Sequence, residues 1–246
     1  MPKFFAPDCD LREAHITLRG KHAEHLRVLR VREGEELIVS DGRGTEARCA
    51  VEAADKAGCL LRVLELRPMT GEPTVSALLY AALPKGDKTE VIVQKAVELG
   101  AEGIAFFQSS RCVARPEEKA LRGKLERLQK IAEGAAMQSG RGRIPWVRWI
   151  PRFPEMLGEA SRAGLAAFLW EEETSLSFRA LMKSRQPFTS AALITGPEGG
   201  FSAEEAEAAK AAGIPAVTLG TRILRCETAP LCALTAVMYE TGNLDG

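Results

Sequence analysis

Five short apolar runs, at 75–82, 104–107, 166–170, 191–195 and 216–219, recur along the last two thirds of the chain without the polar alternation of a half-wetted strand. Strands of that texture are buried on both faces. The segments between them carry helical patterns at 89–99, 117–138, 202–213 and 228–241. Strand, helix, strand in this order predicts a parallel sheet with crossover helices. Leu121, Leu125, Leu128, Ala132 and Ala135 step by fours and threes, the spacing of one buried helix face. Ser202 and Glu205 have the spacing of a capping box, and Gly100 closes the first helix as a C′ glycine.

The first 70 residues read differently. Apolar pieces at 15–18, 36–40, 47–51 and 59–66 are separated by turn signals at Gly34, Asp41-Gly42, Gly44 and 55–58. That spacing predicts a small barrel or sandwich. Residues 21–31 (KHAEHLRVLRV) are expected to form one short helix carrying Arg27 and Arg30. Two prolines and a glycine in 67–74 (RPMTGEPT) mark a linker, so the expected domains are 1–70 and 74–246.

With 246 residues, 46% hydrophobic and 27% charged, the chain has the composition of one or two folded soluble domains. No apolar run approaches the roughly 20 residues of a membrane span, and MPKFFAPDCDLR lacks the pattern of a secretory leader. Six scattered cysteines without a CxxC pair suit reduced thiols in a cytosol. His22 and His25 have no acid or cysteine cluster to complete a ligand set, so no metal is expected. The expected compartment is the cytoplasm, with no membrane partner. Net charge is zero, yet Gln108–Arg152 holds eleven basic residues against four acids, and acids then prevail from Phe153 to Lys210. A +7 segment is the footprint of a polyanion binder or the surface of a solvated helix, and charge alone supports both.

Two segments carry chemistry. In 191–205 (AALITGPEGGFSAEE) a buried strand ends at Thr195 and a glycine-rich turn, Gly196-Pro197-Glu198-Gly199-Gly200, leads to a capped helix. Ligands of open parallel sheets sit outside the carboxyl ends of strands, so a small molecule is expected at this turn. The pattern is not GxGxxG, and Glu198 is a poor neighbour for a phosphate, which disfavours a dinucleotide or P-loop site. In 216–232 (AVTLGTRILRCETAPLC) a strand runs to Gly220, and Ile223-Leu224 then stand between Arg222 and the trio Arg225-Cys226-Glu227. Charged residues around apolar ones in a loop suggest either catalysis or an Arg–Glu pair at a helix start. Cys226, with no histidine near in sequence, reads as a small apolar filler, and Trp146, Trp149 and Trp170 as core.

ITGPEGGFSAEE followed by LGTRILRCETA closely resembles the RsmE family, the 16S ribosomal RNA uridine-N3 methyltransferases of the knotted SPOUT class. KFFAP, EHLRVLRVREGEELIVSDGRG, PKGDKTEVIVQKAVELG, SSRCVA and AAMQSGRGRIP match further stations of that family in order, so the resemblance covers the whole chain. Three positions depart from it: Thr221 stands where Pro is usual, Cys226 where Thr is common, and Met137 where Glu is common.

The resemblance implies an α/β fold, with an N-terminal PUA-like RNA-binding barrel and a C-terminal SPOUT domain tied in a deep trefoil knot. It implies S-adenosylmethionine as methyl donor, a homodimer acting on the assembled small ribosomal subunit, and 3-methyluridine as product (m3U1498 in standard rRNA numbering). The cofactor is expected on Thr195, Gly196, Glu198, Gly199, Gly200, Leu219, Gly220, Ile223, Leu224 and Thr228. Arg111, Arg115, Gln138, Arg141 and Arg143 are expected to line the RNA site, with Arg27 and Arg30 adding contacts from the barrel. Uracil N3 is a weak nucleophile until its proton leaves, which calls for a base or for a cation on the developing charge. Glu227 fits the first role and Arg225 the second, although a glutamate at a helix start is also an ordinary dipole partner. The competing functions are a non-catalytic RNA-binding or ribosome-assembly protein and a related knotted methyltransferase acting on tRNA.

Overall fold

The computed structural model describes residues 1–20, 23, 26, 31–55 and 58–245. The helix expected over 21–31, with Arg27, Arg30, His22 and His25, thus falls largely outside the described residues. The chain forms two compact units: Met1–Glu72 together with Ala136–Ile144, and Pro73–Ala135 together with Pro145–Gly246.

The first unit is a five-stranded sheet of β1 (Lys3–Phe5), β2 (His15–Leu18), β3 (Glu36–Ser40), β4 (Thr45–Ala54) and β5 (Cys59–Pro68), in the order β1-β3-β4-β5-β2. Leu37 and Val39 on β3 and Ala47, Cys49 and Val51 on β4 alternate inward onto one core with Phe4, Leu18 and Leu61. Register shifts after Arg48 and Val51 bend the long β4–β5 ladder, as bulges do. The Asp41-Gly42 turn forms as expected, with the Asp41 carboxylate accepting the backbone N–H groups of Arg43, Gly44 and Thr45 at 2.7–3.1 Å.

Residues 136–144 join this unit from far along the chain. Lys3, in a buried ion pair with Glu46, donates to the Gly140 carbonyl at 3.2 Å, and the Ser40 hydroxyl donates to the Gly142 carbonyl at 3.0 Å. Arg141 is only 4% exposed and grips Glu72 through Nε and Nη2 at 2.9 and 2.7 Å. The same carboxylate accepts the N–H groups of Gly142 and Arg143. Arg141 therefore does not line an RNA surface as expected: its guanidinium is spent inside the unit. A single boundary near 70 misses this excursion, because nothing local in GRGR signals a partner some 70 residues away.

The second unit is a six-stranded sheet. In chain order it contains β6 (Ser76–Ala82), α1 (Lys88–Glu98), β7 (Gly103–Phe107), α2 (Glu118–Gln138, its last turn in the first unit), β8 (Trp146–Ile150), α3 (Phe153–Ala160) and β9 (Leu165–Leu169). It continues with α4 (Phe178–Arg185), β10 (Ser190–Thr195), α5 (Ala203–Ala211), β11 (Ala216–Val217) and α6 (Thr228–Glu240). The order is β11-β9-β10-β6-β7-β8, every pair parallel. The central strands are buried on both faces, as their unbroken apolar runs require. Three elements have no clear signature in the sequence: β8 is a half-exposed edge strand carrying Arg148, and α3 and α4 span eight residues each, too few for a clear period.

Register decides where the loops meet. Thr195 lies opposite Ala81 and Leu169, and Leu169 opposite Val217, so β6, β9, β10 and β11 end at one level. The step from β10 to β11 passes over β9, after which the chain returns to pack α6 against β6, β10 and α1.

Candidate functional site

Four connections leave the carboxyl edge of the second sheet together: 83–87, 170–177, 196–202 and 218–227. The last three enclose a cavity of about 690 Å³, within the size range of small-molecule sites. Backbone bonds set the spacing of two of these loops, since Thr218 donates to the Leu176 carbonyl at 2.9 Å and Phe178 to the Thr218 carbonyl at 3.0 Å.

The glycine-rich turn is anchored at both ends. Phe201 is fully buried, its ring 4.1 Å from that of Phe168 and stacked at 6.4 Å on Phe107. Ser202 and Glu205 form the expected capping box, and Glu205 also accepts the Ser110 N–H at 2.8 Å, tying in the loop after β7. Arg111 on that loop donates to the Gly199 carbonyl at 3.2 Å. Gly200 has φ +66°, a conformation that strains most other residues, and a Cβ there would also displace the Glu171 carboxylate.

Of the expected cofactor residues, Thr195, Gly196, Glu198, Gly200, Leu219, Gly220, Ile223 and Leu224 line the cavity. Gly199 and Thr228 do not; Gly199 faces Arg111 instead, and Ala229 lines the wall beyond Thr228. Arg225 is at the wall and exposed. Glu227 is partly exposed beside the lining residues Cys226 and Lys88, accepting from the Cys226 thiol at 3.3 Å and lying 3.8 Å from the Lys88 ammonium. Two buried polar atoms on the wall, Thr195 Oγ1 and Trp170 Nε1, have no hydrogen-bond partner among the described residues. Orphaned polar atoms in an otherwise satisfied wall are what a polar ligand would complete. With apolar Leu219, Ile223 and Leu224 alongside carboxylates and guanidinium groups in its lining, the cavity suits an amphiphilic, zwitterionic small molecule.

Lys88 is a residue that sequence reasoning misses. Its ammonium donates to Glu198 at 2.6 Å and to the Cys226 sulfur at 3.6 Å, and Glu198 also accepts the Lys85 N–H at 3.0 Å. The available signal is PKGDK at the end of an apolar run, the same strand-end position that singles out the glycine turn. Trp170 and Cys226 are more than core and filler, since both line the cavity. The charges of this cluster set one another's protonation. Burial pushes the Cys226 thiol up to about 12, so it stays protonated and donates to Glu227. Burial also pushes Glu227 up. Its own backbone N–H, the Cys226 thiol and the charges of Lys88 and Arg225 outweigh that and hold it below the usual carboxylate range. Lys88 is raised, chiefly by its bond to Glu198, and is a full cation.

Of the expected RNA residues, Arg111, Arg115, Gln138 and Arg143 are exposed, while Arg27 and Arg30 lie outside the described residues. Among the described residues no helix is long and apolar enough to cross a membrane.

Residues 71–238 match a family described as an RNA methyltransferase domain, and residues 18–64 one described as an RNA methyltransferase PUA domain. A Bacillus subtilis protein described as ribosomal RNA small subunit methyltransferase E is 35% identical over 94% of this chain and 92% of its own length. A Mycobacterium tuberculosis protein of the same description is 35% identical over 92% of this chain and 86% of its own. Among solved structures, a ribosomal RNA small subunit methyltransferase E from Neisseria gonorrhoeae bound to S-adenosyl methionine superposes with a TM-score of 0.86 at 30% identity, covering 98% of each chain. A putative methyltransferase from Legionella pneumophila in complex with the same cofactor gives 0.85 at 28% identity, covering 97% of each chain.

Proposed function

Because the chain belongs to the ribosomal RNA small subunit methyltransferase E family, we propose that it moves a methyl group from S-adenosylmethionine to N3 of one uridine of 16S rRNA in the small ribosomal subunit. The observation that carries the reading is the cavity of about 690 Å³ at the carboxyl edge of the sheet, with Thr195 Oγ1 and Trp170 Nε1 awaiting partners and Arg225 on its wall.

S-adenosylmethionine, when bound, supplies a methyl carbon made electrophilic by its sulfonium. The backbone of 195–200 and 219–224 would hold it, with Leu219, Ile223 and Leu224 around its apolar parts. Thr195 and Trp170 would satisfy its polar groups. The remaining work concerns the target base. N3 lies on the Watson–Crick edge, so the uridine must be unpaired or flipped to reach the wall. Arg225 faces the charge that develops on the uracil oxygens as the N3 proton leaves. Glu227 is ionised at neutral pH and free to take that proton, but its lowered pKa makes it a weak acceptor. Cationic stabilisation of the uracil therefore carries most of the burden.

The first unit, Met1–Glu72 with Ala136–Ile144, serves as a PUA-like RNA-binding domain, and the second, Pro73–Ala135 with Pro145–Gly246, as the catalytic domain. The exposed Arg111, Arg115, Gln138 and Arg143, with Arg27 and Arg30, bind the RNA backbone. The last two chain crossings, through 196–202 and 218–227, tie the trefoil knot of the family. The protein works in the cytoplasm as a homodimer joined through α6. The test is calorimetric titration with S-adenosylmethionine, followed by mass mapping of small subunits purified from a strain lacking the modification. Binding, and one new methyl on uracil N3, are expected; binding without transfer to N3 would overturn the reading.

A further inference from the structure

We propose that Lys88 is a second substrate-facing cation of the site, held at the cavity by Glu198 and Glu227 so that its ammonium meets a carbonyl oxygen of the target uracil. This rests on the uracil-N3 reading above and adds a residue to it.

Lys88 is the first residue of α1, at the positive end of that helix's dipole, where a carboxylate would be favoured and a cation is not. Its charge is therefore not explained by helix formation. What retains it is the pair of carboxylates, Glu198 at 2.6 Å and Glu227 at 3.8 Å, from two different cavity loops. An ammonium has three protons. One goes to Glu198, one is directed to the Cys226–Glu227 side, and the third remains for a ligand. The side chain is 31% exposed, and Lys88 lines the cavity with Arg225.

The approach to Lys88 is also basic. The turn before it, 84–87, accepts a hydrogen bond from Lys124 of α2 to the Gly86 carbonyl at 3.3 Å, and Arg127 pairs with Glu90. The same turn donates the Lys85 N–H to Glu198 at 3.0 Å. Lys88 thus stands where α2 meets the cavity. In the reaction N3 gives its proton to the Glu227 carboxylate. Its electron pair bonds the methyl carbon while the carbon–sulfur bond breaks and its pair stays on sulfur. The charge that appears on the uracil oxygens at the first of these steps meets Lys88 as well as Arg225.

The experiment is single-turnover methylation of unmodified small subunits by the wild type, Lys88→Gln and Lys88→Arg across pH, with S-adenosylmethionine affinity measured alongside by calorimetry. Lys88→Gln should be slower by about 10²–10³ at neutral pH. The gap should narrow as pH rises, since more N3 is then already ionised, and cofactor affinity should not change. Lys88→Arg should recover most of the rate. An undiminished rate in Lys88→Gln, an equal loss at every pH, or a loss matched by weaker cofactor binding would each overturn the proposal. Failure of the wild type itself to methylate N3 would instead overturn the reading beneath it.

Discussion

At Gly220 the backbone φ is +112°, and nothing stands within 4 Å of the place a Cβ would occupy. A valine there would strain the turn and project into the cavity rather than into the core. Gly220→Val should keep the fold, lower the melting temperature modestly, and abolish S-adenosylmethionine binding by calorimetry. Arg225 is the complementary case, an exposed side chain with no role in the core. A charge that acts chiefly in the transition state lowers turnover rather than ground-state binding. Arg225→Ala should bind the cofactor normally and turn over about 10²–10³ more slowly in a single-turnover assay. Both residues stand out in the sequence. Lys88 does not, because a lysine beside an aspartate in a turn reads as solvated until β6 and β10 bring it to Glu198.

Among the elements, the segment 136–144 shows how a basic motif divides between structure and surface. Arg141 and Arg143 are two residues apart in GRGR, yet one is buried against Glu72 and the other is exposed. Removing one partner of a buried pair leaves the other charge unsatisfied, at about 3 kcal/mol or more. Arg141→Ala should therefore lower the melting temperature sharply with cofactor affinity unchanged, whereas Arg143→Ala should leave stability alone. The pair also makes a prediction about acid. Burial pushes the Glu72 carboxyl up, but Arg141 and the N–H groups of Gly142 and Arg143 outweigh it and hold it below its ordinary value. A carboxyl lowered in the fold stabilises above its unfolded value of roughly 4.3 and loses that contribution as pH falls further. The acid-induced drop in melting temperature should be shallower in Glu72→Gln than in the wild type.

For the whole molecule, the proposed homodimer and the proposed RNA contacts can be tested separately. On α6, Pro230, Ala233, Leu234, Val237 and Met238 are buried, while Cys232 and Tyr239 are exposed and Leu231 and Ala236 are half-buried. Apolar surface left over after one core face is filled suits a second copy of the chain. Sedimentation at micromolar concentration should give a dimer mass, and Tyr239→Glu should shift it toward monomer. The proposed RNA contacts rest on exposed basic side chains of each unit. Taking away one cation that neutralises a phosphate reduces the salt slope of RNA binding by roughly one unit. Arg115→Ala and Arg143→Ala should each show that reduction in salt titrations, with cofactor affinity unchanged.

The sequence alone determined the parallel sheet, the strand-end glycine turns, the capping box and the Arg225-Cys226-Glu227 loop. These depend on local periodicity and on residue types with few alternative uses. Tertiary structure decided what depends on distance across the fold. It placed Arg141 inside the first unit, set Glu227 beside Lys88 and Cys226 with a lowered pKa, and turned Cys226 from a filler into a donor. It also drew Lys88 to Glu198, 110 residues along the chain. A charge's function is set by its neighbours, and the neighbours of these residues come from distant parts of the chain.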